Sequence, residues 1–174
     1  MEWKVVSQQP LYSDEWLDIR IADVELPGGR HLQHRMICTP PGAGVVVARA
    51  DRQVLLLWRH RFITDSWGWE IPLGRIEDGE APAEAAAREF EEETGWRAGP
   101  LRHLLSVHPT SGISNSVHHV YRADEATHLG SPADAYESDR IAWMPLDQVP
   151  ALIGRGEIVS ATTSAALLYL LSTG

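Results

Sequence analysis

Gly74-Arg-Ile-Glu-Asp-Gly-Glu-Ala-Pro-Ala-Glu-Ala-Ala-Ala-Arg-Glu-Phe-Glu-Glu-Glu-Thr-Gly-Trp96 is the stretch around which the chain is organised. It reads as a glycine-rich loop followed by a short helix. Pro82 suits a first helical turn, where a missing N–H has no intrahelical partner to lose. Ala83, Ala85, Ala86 and Ala87 favour helix, and Gly95 supplies a C-terminal stop. At about 100° per residue, Ala83, Ala86, Ala87 and Phe90 share one face, expected to be the core side. Glu89, Glu92 and Glu93 fall together on the neighbouring arc.

That acidic arc works against the helix that carries it. Like charges three and four positions apart repel by a few tenths of a kcal/mol per pair, and negative charge near a helix C-terminus opposes the dipole. Arg88, with Glu84 and Glu92 at i−4 and i+4, can orient part of the cluster. A hard divalent cation such as Mg2+ would reverse the sign of the argument, because it prefers oxygen ligands. A glutamate-rich helix alone is more often just a solvated surface.

The spacing decides between these readings. Gly74, Glu80 and then Arg88-Glu89-Phe90-Glu91-Glu92-Glu93-Thr94-Gly95 resemble the Nudix box at every fixed polar and glycine position. Trp96 departs from it, since the family usually places an aliphatic residue there. The resemblance implies an α+β fold, an α/β/α sandwich with a mixed central sheet. It also implies a metal site that holds a diphosphate. Glu89, Glu92 and Glu93 become metal ligands, with the backbone carbonyl of Leu73 as a further oxygen, and Mg2+ is the expected ion, with Mn2+ able to replace it. Glu92, Arg88 and Glu80 become the catalytic group, the last two as supports.

Composition bounds the rest. The 174 residues fit one domain with a substantial core, or a domain with a small extension. With 15 basic against 24 acidic residues the formal charge is −9, which argues against binding a nucleic acid polymer through phosphate neutralisation. A small anionic substrate is not excluded, since a metal and a few arginines build a local positive site. Cys38 is the only cysteine, so no intrachain disulfide forms, in keeping with a reducing compartment. It is expected to be a buried small hydrophobe. The start Met1-Glu2-Trp3-Lys4 lacks the basic and apolar regions of a secretory signal, and no run approaches the ~20 apolar residues that span a bilayer. A cytoplasmic protein without a membrane partner is expected.

Along the chain, Trp3 to Gln8, Trp16 to Leu26 and His31 to Cys38 read as strands, with Leu17, Ile19 and Ile21 alternating against Asp18 and Arg20. Pro27-Gly28-Gly29 is a turn. An antiparallel meander over residues 1–40 is therefore expected, ending at Thr39-Pro40-Pro41-Gly42, and residues 41–174 form the main domain. Val45 to Arg49 and Val54 to Trp58 are apolar strands, with Arg59, His60 and Arg61 placed beyond the second. Leu101 to His108, Val117 to Arg122 and Ile141 to Met144 are further strands. Leu146 to Arg155 and Ser160 to Leu171 are helices, the latter with Ala165, Leu168 and Leu171 turned inward.

Beyond the box, Trp69-Glu70-Ile71-Pro72-Leu73-Gly74 is similar to the approach in ADP-ribose pyrophosphatases and nucleotide-sugar diphosphatases. Those usually carry Gln-Tyr-Arg where this chain has Arg59-His60-Arg61. The N-terminal meander and Pro109-Thr110-Ser111-Gly112 fit that subgroup too. The implied reaction is hydrolysis of the diphosphate in a nucleoside diphosphate linked to X, ADP-ribose giving AMP and ribose 5-phosphate. Arg61, Trp16 and Gly112 become substrate contacts, Trp16 by stacking on a base. For Trp16 a buried packing role is the blander reading. Trp67 and Trp69 are expected to pack. The resemblance also implies a homodimer through the meander.

One departure bears on chemistry. Relatives commonly place an acid shortly after the position of Gly112, whereas this chain reads Ile113-Ser114-Asn115-Ser116-Val117. Three replacements for that base stand open: Glu92; Glu137 or Asp139; and His118 or His119, of which only one can face the site, because neighbours on a strand point to opposite faces. Other nucleotide-sugar or (d)NTP pyrophosphohydrolases, and an idle nucleotide-sensing module, are the alternative readings.

Overall fold

The computed structural model describes residues 1–134 and 136–173. Its contacts divide into two compact units, one of residues 1–40 with 108–117 and one of residues 41–107 with 118–174.

The first unit is the meander: β1 (Lys4–Ser13), β2 (Asp18–Glu25) and β3 (His31–Cys38), antiparallel in the order β1-β2-β3. Gly28 and Gly29, at φ 96° and 80°, make the β2–β3 turn in a region that L side chains avoid. Ala22 and Val24 are buried, but β1 is exposed along its whole length. Trp16 lies outside the strands: the Asp14 carboxylate accepts the Trp16 and Leu17 N–H groups and turns the chain there. Residues 108–117 join this unit because backbone bonds tie them to the free edge of β3. The Ile37 N–H donates to Ile113, and the Asn115 N–H to Ile37. Cys38 is partly rather than fully buried.

In the second unit β4 (Gly42–Val47), β7 (Leu73–Arg75), β9 (Arg102–Val107) and β10 (His118–Ala123) form a mixed sheet, order β7-β4-β10-β9, with β4 and β10 parallel. β5 (Gln53–Arg61), β6 (Ser66–Glu70) and β12 (Arg140–Pro145) form an antiparallel sheet, order β12-β5-β6. A short pair, β8 (Trp96–Ala98) with β11 (Ala126–His128), was not expected from sequence. The helices are α1 (Pro82–Thr94), α2 (Val149–Gly154) and α3 (Ala161–Thr173), a 3-10 turn at Leu146–Gln148 taking the first part of the predicted 146–155 helix.

β4 reads as an unbroken apolar run because both its faces are covered. Ala43, Val45 and Val47 pack with Ala85, Ala86 and Phe90 of α1, while Val46 packs with Leu152 of α2 and Leu167 and Leu170 of α3. Phe90 is fully buried, a burial worth about 1.5–3 kcal/mol. Two helix faces differ from expectation by a fraction of a turn. Ala87 is exposed and the core line of α1 is Ala86, Phe90 and Glu93, with Ala85 beside it. On α3 the buried residues are Thr162, Thr163, Ala166, Leu167 and Leu170, and Leu168 is exposed. In both helices several small or apolar residues compete for the inward position, and the neighbouring strand decides the rotation.

No helix among the described residues is long and apolar enough to cross a membrane.

Candidate active site

α1 is placed by its two ends. The Ala81 N–H at the start donates to Glu84, and Gly95, at φ 70°, closes the last turn with its N–H on the Glu91 carbonyl. The preceding loop is pinned from the opposite layer. Thr163 of α3 accepts the buried Ile71 N–H at 3.2 Å, and the Glu157 carbonyl accepts the Trp69 N–H at 2.7 Å. β7 then carries Gly74 beneath the helix, where any β-carbon would overlap the Glu89 carboxylate. Gly74 is therefore fixed by close approach and not by a left-handed turn.

Arg88 gathers the loop and the exposed side of the helix. Its guanidinium donates to both oxygens of Glu80 at 2.9 and 3.0 Å, to Glu89 at 2.8 Å, to Glu92 at 3.1 Å and to the Arg75 carbonyl at 3.0 Å. The Arg88 bond holds the Glu80 carboxyl below its usual range. Burial pushes Glu89 above it, against the pull of Arg88 and with help from the Glu92 and Glu137 charges.

Glu93 faces the core and is 3% exposed. One oxygen accepts from Arg59 at 2.8 Å, and the other accepts the Leu73 N–H at 3.1 Å. Burial raises its carboxyl to about 7 even though Arg59 opposes the shift. Arg59 is itself 3% exposed, and its second nitrogen lies 3.7 Å from Glu137. Two positions on, Arg61 donates both arms of its fork to the buried Glu70, at 3.1 and 2.6 Å.

The apolar run Val54 to Trp58 places Arg59, His60 and Arg61 beyond the strand. They are strand residues, and Arg59 is buried. The missed signal is the period of two, which puts Leu55, Leu57, Arg59 and Arg61 on one face of β5. Glu137, one of the open replacements for the base, comes near Arg59 through the return of the chain along β5, where the Asp139 N–H donates to the Trp58 carbonyl.

The remaining candidates separate. His118 is half-buried with Nδ1 2.8 Å from the Thr162 hydroxyl of α3, on the sheet face opposite α1. His119 meets the Ser106 hydroxyl at 2.9 Å. Neither imidazole joins the glutamates. Asp139 turns to Arg140 at 3.8 Å. Asn115 accepts the Thr39 N–H, and Ser116 is buried, so these two positions hold the first unit together. Gly112 lies in that unit, its carbonyl 3.1 Å from a ring nitrogen of His34. Trp16 is 74% exposed, its indole N–H on Glu15, which overturns the buried reading. Trp69 is buried as expected. Trp67 is half-exposed and stacks on Trp58 at 6.2 Å.

Among the described residues no three acidic, histidine or cysteine side chains form a ready-made metal cage. The donor set still fits a hard divalent cation. Five carboxylates (Glu80, Glu89, Glu92, Glu93, Glu137) crowd against two guanidinium groups, and mutual repulsion adds to burial in raising Glu89 and Glu93. Oxygen-only donors with surplus negative charge suit Mg2+ or Mn2+.

The sequence pattern of the NUDIX domain matches residues 39–165. Over its full length the chain is 42% identical to a CMP-5'-(N-acetyl-N-hydroxy-3-aminopropyl)phosphonate hydrolase of Streptomyces rubellomurinus, covering 84% of that protein. It is 31% identical to an ADP-ribose pyrophosphatase of Bacillus subtilis, over 98% of this chain and 93% of the relative. A solved ADP compounds hydrolase shares the fold with a TM-score of 0.84 at 19% identity, covering 99% of this chain and 94% of the other.

Proposed function

The chain belongs to the Nudix family and is a pyrophosphohydrolase, and on that premise we propose that it hydrolyses the anhydride of a nucleoside 5′-diphosphate linked to X. The observation that carries this reading is the Arg88 cluster, which gathers Glu80, Glu89 and Glu92 beside the buried Glu93 at the end of the glycine loop. We assign Glu89, Glu92, Glu93 and the Leu73 carbonyl as the residues that would hold Mg2+, with Mn2+ able to replace it. When bound, the ion would neutralise phosphate oxygens and activate water.

The chain's own groups supply the rest. Arg61 is half-exposed, and Glu70 takes its Nε and one terminal nitrogen, which fixes the guanidinium plane and leaves the other terminal nitrogen to meet a phosphate. Glu137 is 55% exposed and lies near Arg59, outside the Arg88 cluster. We assign it the proton of the attacking water, a role for which Glu92 is less free because Arg88 holds it. Arg88 and Glu80 keep the loop and helix in register.

Trp16 and Gly112 are proposed as contacts to the nucleoside in the first unit; the exposed indole leaves Trp16 a face for stacking, worth about 1–3 kcal/mol per base. Trp3, just before β1, and Val5, Val6, Leu11 and Tyr12 of β1 are exposed as well, and we infer that a twofold homodimer covers this surface. A single-chain mass by light scattering would remove that inference. The single cysteine fits a cytoplasmic site of action.

ADP-ribose, giving AMP and ribose 5-phosphate, is the favoured substrate. A second reading, a cytidine nucleotide carrying a phosphonate, is favoured by the 42% identity to a hydrolase of that kind. The deciding experiment is a panel of ADP-ribose, a CMP–phosphonate anhydride, NADH, nucleotide sugars and dNTPs, with and without Mg2+, followed by chromatography of the nucleotides. Release of nucleoside monophosphate from X-linked substrates only, and only with metal, is expected. Turnover confined to dNTPs would replace the substrate class, and ligand binding without turnover would leave a sensing module.

A further inference from the structure

The two strand-borne arginines pair with glutamate differently. Arg61 gives Glu70 two nearly parallel N–H bonds, the geometry of a settled pair. Arg59 gives Glu93 one N–H at 2.8 Å and approaches Glu137 no closer than 3.7 Å. Its Nε is buried with no partner among the described residues. Buried polar groups are normally bonded, so this guanidinium is not placed to satisfy its own donors. It is a positive charge set between two carboxylates, one on α1 and one on the loop before β12.

We propose that Arg59 is a built-in counter-ion for Glu93, which steadies that carboxylate in the metal-free protein and competes with a divalent cation for it. The proposal rests on the reading of Glu89, Glu92 and Glu93 as metal ligands. Its physics is direct: at short range in a water-poor site, like charges repel strongly, so a cation approaching Glu93 does so against the charge of Arg59. The chain thereby keeps an ordered acidic site without metal, at the cost of a weaker hold on the metal.

The test is Mn2+ binding, followed by electron paramagnetic resonance and calorimetry, for wild type, Arg59→Gln and Arg59→Lys, with melting curves in EDTA and in Mn2+. Arg59→Gln is expected to bind Mn2+ at least tenfold more tightly, and Arg59→Lys within threefold of wild type. Arg59→Gln should also melt below wild type in EDTA and show the larger rise on adding Mn2+, since a ligand that binds only the native state stabilises it. An arginine of purely structural use would give weaker metal binding on removal. Equal or weaker Mn2+ binding by Arg59→Gln, with wild type binding normally, overturns this inference alone. No Mn2+ binding by any of the proteins overturns it together with the metal-site reading. Should Arg59→Gln be unfolded in EDTA, refolding on Mn2+ supports the inference and failure to refold overturns it.

Discussion

The rim and the floor of the acidic site are each held by an arginine, but on different terms. At the rim Arg88 is 28% exposed and divides its donors among three carboxylates and a carbonyl. On the floor Arg59 is 3% exposed and gives a single bond to Glu93. Losing one contact at the rim leaves others, and water can replace it. An ion pair on the floor has no such reserve, because a buried charge left alone costs far more than the pair contributes. Rim contacts are therefore worth about 0–1 kcal/mol each, while the floor pair, once broken, is expected to cost about 3–5 kcal/mol.

Four measurements would break or sharpen that contrast. The largest effect is expected from Glu93→Gln, which keeps the shape and one acceptor oxygen, for either Arg59 or the Leu73 N–H, but loses the charge. Steady-state hydrolysis should fall by about a thousandfold, roughly 4 kcal/mol, with the circular dichroism spectrum retained; full activity would end the assignment of Glu93. Next, Arg59→Ala without metal should lose about 3–5 kcal/mol in urea unfolding, whereas Glu92→Gln, which removes one rim contact and leaves the others of Arg88 in place, should lose at most about 1 kcal/mol. Equal losses would erase the difference between rim and floor. Third, Gly74→Ala should impair turnover at little cost in stability, because the added methyl meets only the end of the flexible Glu89 side chain and displaces its carboxylate. A variant with normal activity would show that Glu89 is free to move aside.

The smallest expected effect lies away from the glutamates. Burial, aided by the neighbouring His119, holds the His118 imidazole below its ordinary value of 6.5. The folded protein thus favours the neutral ring and the unfolded chain binds the proton more readily. This contribution to stability is complete above pH 6.5 and declines as the pH falls from there toward the folded-state value. His118→Gln, which still reaches Thr162, should flatten that part of the stability–pH curve. An unchanged slope would show that another group carries the acid sensitivity.

Much of this protein is written locally. Proline at a helix start, alanines, a glycine stop and a repeated glutamate spacing are properties of neighbouring residues, so α1, the box and its hydrolase family are legible without coordinates. The meander and the apolar strands follow from alternation and turn chemistry in the same way. What needed tertiary structure was every question about which side of an element another element covers. Ala87 and Leu168 were misplaced because helical periodicity fixes relative angles and leaves the rotation of the whole helix open. A guanidinium is usually exposed, and only the meeting of β5 with α1, 34 positions along the chain, supplies the carboxylate that lets Arg59 stay buried. Glu137 joins the site for the same reason. Sequence specified the groups and their local order, and the packing of distant segments chose which charges would share a site without water.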